Sequence, residues 1–144
     1  MAGASEAIIR RLVEEVINGG NTDLLTELVA ADHVGHDHLG DRYGPGGVRI
    51  GVAECREAFP DLRLTIEDLF AHEDRAAWRF TLVGTHAGPF MDIPPTGRPV
   101  TASGLRIDRL AEGRLHESWV GLDVLGLLRQ LGALPGLWHD RSEE

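Results

Sequence analysis

The strongest constraint on the fold is a change of hydrophobic period near residue 60. Before it, apolar residues recur at helical spacing: Ile8, Ile9, Leu12, Val13, Val16 and Ile17, then Leu24, Leu25, Leu28 and Val29, then Val48, Val52, Cys55 and Phe59. After it they alternate, as in Leu62, Leu64 and Ile66 or Trp78, Phe80 and Leu82. Pro60-Asp61 marks the boundary, because the residue before a proline is pushed out of the helical region. A chain with helices first and long strands afterwards must pack the helices on one face of a sheet, which is an α+β architecture. The sheet has to curl to bury its inner face, and a curled sheet open at one end makes a conical pocket.

Punctuation sets the elements. Ser5 is expected to cap the first helix and Gly19-Gly20 to end it; Asn21 or Thr22 caps a second, and Pro45 suits the first turn of a third. Strands are expected over 62–70, 76–86, 99–110 and 114–122, with turns at 72–74 and 111–113. Residues 88–97 hold three prolines and cannot form a central strand. The histidine-rich segment 31–38 reads as a polar loop, and the tail from Trp138 as polar and frayed. The expectation is one domain over 1–144, with a core of about 5–133.

Charge narrows the partners. The net charge of −9 and pI near 5.2, with no Lys/Arg run, argue against nucleic acid and against anionic membrane surfaces. Cys55 is the single cysteine and sits on the apolar stripe of the third helix. The N-terminus does not resemble a signal peptide, and no apolar run is long enough to span a bilayer. A soluble cytoplasmic protein is the expectation.

The stretch 113–132 carries the most chemistry. At period two, Leu115, Glu117, Trp119, Gly121 and Asp123 share one face, and His116, Ser118, Val120 and Leu122 the other. Two acids and a tryptophan suit a pocket wall better than plain core, so this face is expected to line the cavity. Val120 and Leu122 are then expected to point away from it and to support self-association. Asp123 is either the N-cap of the helix that follows or a reactive carboxylate. Helix N–H donors lower its pKa and burial near Trp119 raises it. His33, His36 and His38 lie at intervals of three and two, but a loop beside glycines does not supply four firmly held zinc ligands, so no metal is expected. His36 is expected to donate to a substrate carbonyl, and His33 and His38 to be solvated. Glu117 is expected to pair with an arginine such as Arg79 or Arg106.

Several short motifs together carry a family resemblance: Ala58-Phe-Pro-Asp-Leu62, Gly84-Thr-His-Ala-Gly88, Ile93-Pro-Pro-Thr-Gly97, and Glu117-x-Trp119-x-x-x-Asp123 leading to Gln130-Leu-Gly132. In order and spacing they resemble the SnoaL-like polyketide cyclases of the NTF2-like superfamily, over residues 5 to 133. The resemblance implies a cone-shaped α+β barrel with N-terminal helices on a curled mixed or antiparallel sheet. It implies a homodimer or homotetramer, no metal or organic cofactor, and a hydrophobic small-molecule substrate. The implied reaction is intramolecular aldol condensation of a polyketide ester, with Asp123 as the base and His36 as its catalytic partner. Trp119, Glu117, Trp78, Arg79, His86, Phe90 and Met91 are then expected at the substrate. The chain departs from the family on the strand over 99–110, which has no histidine; its polar residues include Ser103, Arg106, Asp108 and Arg109. Epoxide hydrolysis, enone isomerisation by Asp123 and Glu117, and plain binding of hydrophobic ligands are the alternatives the same fold allows.

Overall fold

The computed structural model describes residues 2–134; the tail from Trp138 lies outside them. Helix α1, Ala2–Arg11, runs on as a π-helical stretch, Leu12–Asn18, and a 3-10 turn, Thr22–Leu24, leads into α2, Leu25–Leu28. Next come β1, Val29–Asp37, β2, Gly40–Tyr43, and α3, Gly44–Ala58. Four long strands follow: β3, Arg63–His72, β4, Arg75–Thr85, β5, Pro99–Ala111, and β6, Arg114–Leu122, before the short α4, Val124–Gln130.

The sheet is mixed and six-stranded, in the order β2-β1-β6-β5-β4-β3. Neighbours are antiparallel except β1 and β6, which run parallel. The β5–β6 hairpin closes on Glu112 and Gly113, both at positive φ (53° and 76°), as a tight turn between twisted strands requires. Helices α1 and α3 cover the concave face, and Ile9, Leu12, Val16, Trp78, Phe80 and Leu82 are among the residues of the core between them. Trp78, Phe80 and Leu82 share the inner face, as their alternation predicts. Among the described residues no helix is long and apolar enough to cross a membrane.

Two expectations change here. Ser5 lies within α1 and is buried instead of capping it. The segment expected as a polar loop is β1. Its inward positions are His33, Gly35 and Asp37, so the apolar signal of a buried strand is missing exactly where the strand lines the cavity.

A third difference decides the site. Between β5 and β6 the register slips: Arg109 faces Glu117, but Leu110 faces Leu115, so β6 carries one extra residue at His116. Leu115 and Ser118 are therefore both inward and buried. A single bulge moves every later side chain to the opposite face. Ser118, Val120 and Leu122 line the cavity, and Glu117 and Trp119 lie on the outer face.

Candidate active site

Inside the cone, between the sheet and α3, lies a cavity of about 180 Å³. Its walls are mostly apolar, with Val52, Phe80, Leu82, Val120 and Leu122 among them. Polar groups enter at two places. His36, Asp37, His38 and Arg42 come from the β1–β2 hairpin, and His33, Trp78, Arg106 and Ser118 form a patch on β1, β4, β5 and β6. Such a chamber, apolar with a few placed polar groups, is the usual build of a small-molecule site.

The second patch is one hydrogen-bond network centred on Asp108, which is fully buried. Its carboxylate accepts from Trp78 Nε1 at 2.8 Å, from Arg106 Nε at 3.0 and 3.1 Å, and from the Ser118 hydroxyl. Ser118 Oγ in turn accepts from Arg106 Nη2 at 3.2 Å and lies 2.9 Å from His33 Nε2. A hydroxyl has one hydrogen and two lone pairs. With that hydrogen given to the ionised Asp108, His33 Nε2 must carry the proton in the bond to Ser118. The Nδ1 of His33 is then a bare lone pair, and it is buried with no partner among the described residues. Burial, followed by the charge of Arg106, lowers the His33 pKa to about 4, so the ring is neutral at ordinary pH.

His36 is held differently. Its Nδ1 is 2.7 Å from Asp41 Oδ1 and its Nε2 is 2.7 Å from Glu117 Oε2, and the ring stacks on Trp119 at 5.6 Å. The hydrogen bond it donates to Glu117, then that to Asp41, raises its pKa above the usual histidine value. His36 is among the residues of the cavity wall, but its ring is turned to Trp119 and Glu117 on the outer face and both nitrogens are engaged by carboxylates, which leaves neither free for the carbonyl expected there.

The other expected site residues divide. Trp78 lines the cavity with His36. Asp123 is exposed and caps α4, its Oδ1 accepting from Gly126 N at 2.9 Å; it is not part of the cavity wall. Glu117 pairs with His36 and, at 3.7 Å, with Arg109, instead of with Arg79 or Arg106. Trp119 lies outside, with Arg75 over its ring at 5.4 Å. Arg79 is exposed on the outer face, 2.8 Å from Asp68. His86 is buried beneath the 88–97 loop, where Nδ1 accepts from Thr96 N, and it packs on Phe59. Phe90 packs on Phe59, and Met91 is exposed at positive φ; neither lines the cavity. Of the residues expected to be solvated, His38 is exposed but His33 is buried. The three histidines do not converge, and among the described residues no group of three His, Cys, Asp or Glu could hold a metal ion.

Sequence reasoning missed His33, Ser118 and Arg106 as cavity residues. A signal existed for Arg106 and Asp108: an Arg-x-Asp pair on the buried face of a strand is costly unless it is paired and bonded.

The model of the SnoaL-like polyketide cyclases matches residues 7–131. Aklanonic acid methyl ester cyclase DauD of Streptomyces sp. (strain C5) is 28% identical, with 95% of each chain covered. Nogalonic acid methyl ester cyclase of Streptomyces nogalater is 30% identical over 80% of this chain and 88% of its own. Among solved structures, TsrD from Streptomyces laurentii superposes with a TM-score of 0.83 at 27% identity, over 92% of this chain and 97% of its own. The cone-shaped α+β fold and the family match cover the same residues, and the chain belongs to the SnoaL-like polyketide cyclase family.

Proposed function

We propose that this protein closes a ring within a polyketide ester by an intramolecular aldol reaction, and that His33 accepts the proton. The observation that carries this reading is the bare, buried Nδ1 of His33 in the wall of a largely apolar cavity. The substrate class is supported by relatives that are aklanonic and nogalonic acid methyl ester cyclases. In such a reaction a carbon between two carbonyls loses a proton, and the enolate attacks a ketone of the same molecule. Holding both ends of one molecule in a shaped chamber supplies much of the rate.

His33 is neutral at ordinary pH and can take that proton. The bond from Nε2 to Ser118, and from Ser118 to Asp108, fixes the ring and faces the new positive charge with a carboxylate two links away. A base with a pKa of about 4 is weak alone, but the enolate forming beside it raises that value as the charge develops. After the carbon–carbon bond forms, the same proton returns from Nδ1 to the alkoxide, so no co-reactant is needed. Asp123, the base implied by the resemblance, keeps the role of helix cap in this reading.

The test is His33→Gln, whose amide nitrogen can still donate to Ser118 while the Nδ1 lone pair is gone. Turnover of aklanonic acid methyl ester is expected to fall by a factor of about 10² to 10⁴, the usual contribution of a positioned base. Undiminished turnover in a folded variant would remove His33 from the reaction.

A further inference from the structure

We infer that Arg106 forms an oxyanion seat, so that the cavity binds the ionised oxygen of an enolate or phenolate in preference to the neutral form. The side chain of Arg106 is 12% exposed and lines the cavity. Its guanidinium is fixed along its Nε–Nη2 edge, by Nε to both oxygens of Asp108 and by Nη2 to Ser118, and it lies 5.5 Å from the centre of the Trp78 ring. Nη1 makes no hydrogen bond among the described residues, which leaves one edge of a rigid, planar, permanently charged group uncommitted.

The surrounding charges favour an anion there. Asp108 is fully buried and not part of the cavity lining, and its carboxylate is occupied by donors from Trp78, Ser118 and Arg106 itself. His33 is neutral. Asp37, on the wall, is 3.4 Å from Arg42, and Glu117 is on the outer face against His36. A donor fixed in advance beside developing charge, in a mostly apolar chamber, needs no reorganisation during the reaction. The seat rests on the proposed ring closure only for which molecule brings the oxygen. As the carbon–hydrogen pair becomes an enolate and its proton goes to His33, the charge moves onto the carbonyl oxygen, and Nη1 receives it.

The experiment uses 4-nitrophenol, whose phenolate absorbs at longer wavelength than the phenol, and its methyl ether, 4-nitroanisole, which cannot ionise. In the wild type the ionisation midpoint of bound 4-nitrophenol is expected to fall by about one unit, equal to about tenfold tighter binding of phenolate than of phenol. Arg106→Gln should abolish that shift while still binding 4-nitroanisole, which shows that the cavity remains. Arg106→Lys should recover part of it. A wild-type midpoint that stays put or rises overturns the seat, and so does a shift that survives in Arg106→Gln. Ring closure unaffected by Arg106→Gln would leave the proposed function standing without the seat. A lowered midpoint in a protein that closes no ring would leave the seat without that function.

Discussion

The neutral His33 makes stability depend on pH in a way that can be worked out. Its folded pKa is about 4 against a reference of 6.5, so between those values the unfolded chain binds the proton and the folded one does not. Stability therefore rises with pH through this window: the contribution is fully present above 6.5 and is lost as pH falls toward 4. The ring is 2% exposed, so solvent screening takes little from the shift. At pH 5.5 the loss relative to pH 7.5 is on the order of 1 kcal/mol, and at pH 4 about 3 kcal/mol. Carboxylates also titrate in acid, so the measurement is a difference. Urea unfolding is followed for wild type and for His33→Gln at a series of pH values, and the gap between the two curves is read. The gap should change by about 3 kcal/mol in favour of the variant between pH 7.5 and pH 4. A gap that is flat across that range, or an NMR titration of His33 with a midpoint near 6.5, would refute the tautomer argument and the buried network behind it.

Substitutions at two further positions test the reading of the site. Asp123→Asn keeps the α4 cap, since asparagine serves there as well as aspartate, and should leave both melting temperature and turnover near the wild-type values; Asp123→Ala should cost about 1 kcal/mol in denaturant unfolding. A large loss of turnover in a stable Asp123→Asn would return the base to that residue. Gly104 lies under the Phe80 ring, with a hypothetical Cβ only 2.6 and 2.7 Å from two of its carbons. Gly104→Ala should force Phe80 into the cavity, at a cost of about 1–3 kcal/mol, and weaken binding of 4-nitroanisole; unchanged melting and binding would place the ring elsewhere.

The helices, the long strands and the inner face of β4 were legible because each keeps one period over a long run. Leu62, Leu64, Trp78, Phe80 and Leu82 face inward where alternation puts them. Two features escaped for local reasons. The inward positions of β1 are His33, Gly35 and Asp37, so the strand that carries the site has the composition of a loop. On β6 the alternation itself is sound, but the extra residue at His116 inverts it. Glu117 and Trp119 thus exchange faces with Ser118 and Val120, and no periodicity count contains that step. Asp123 is expected as the base both from the family resemblance and from the face that strict alternation gives it in common with Glu117 and Trp119. The bulge moves those two neighbours outward, and Asp123 stands at the N-cap of α4, outside the cavity wall.

The parallel pairing of β1 with β6 also orders the assembly of the chain in time. His33 and Ser118 are 85 residues apart, and nearly all the chain between them must be in place before they meet. The antiparallel hairpins of β3 to β6 can zip locally, whereas the β1–β6 ladder must close one long loop, the slow kind of event in sheet folding. On a ribosome making about 5–20 residues per second, the N-terminal helices and β1 wait several seconds for their partner strand. Until then β1 has β2 on one edge and nothing on the other, an open template for pairing with a second nascent chain. The inner face of β1 around His33, Gly35 and Asp37 lowers that risk, because it offers little apolar surface to a wrong partner.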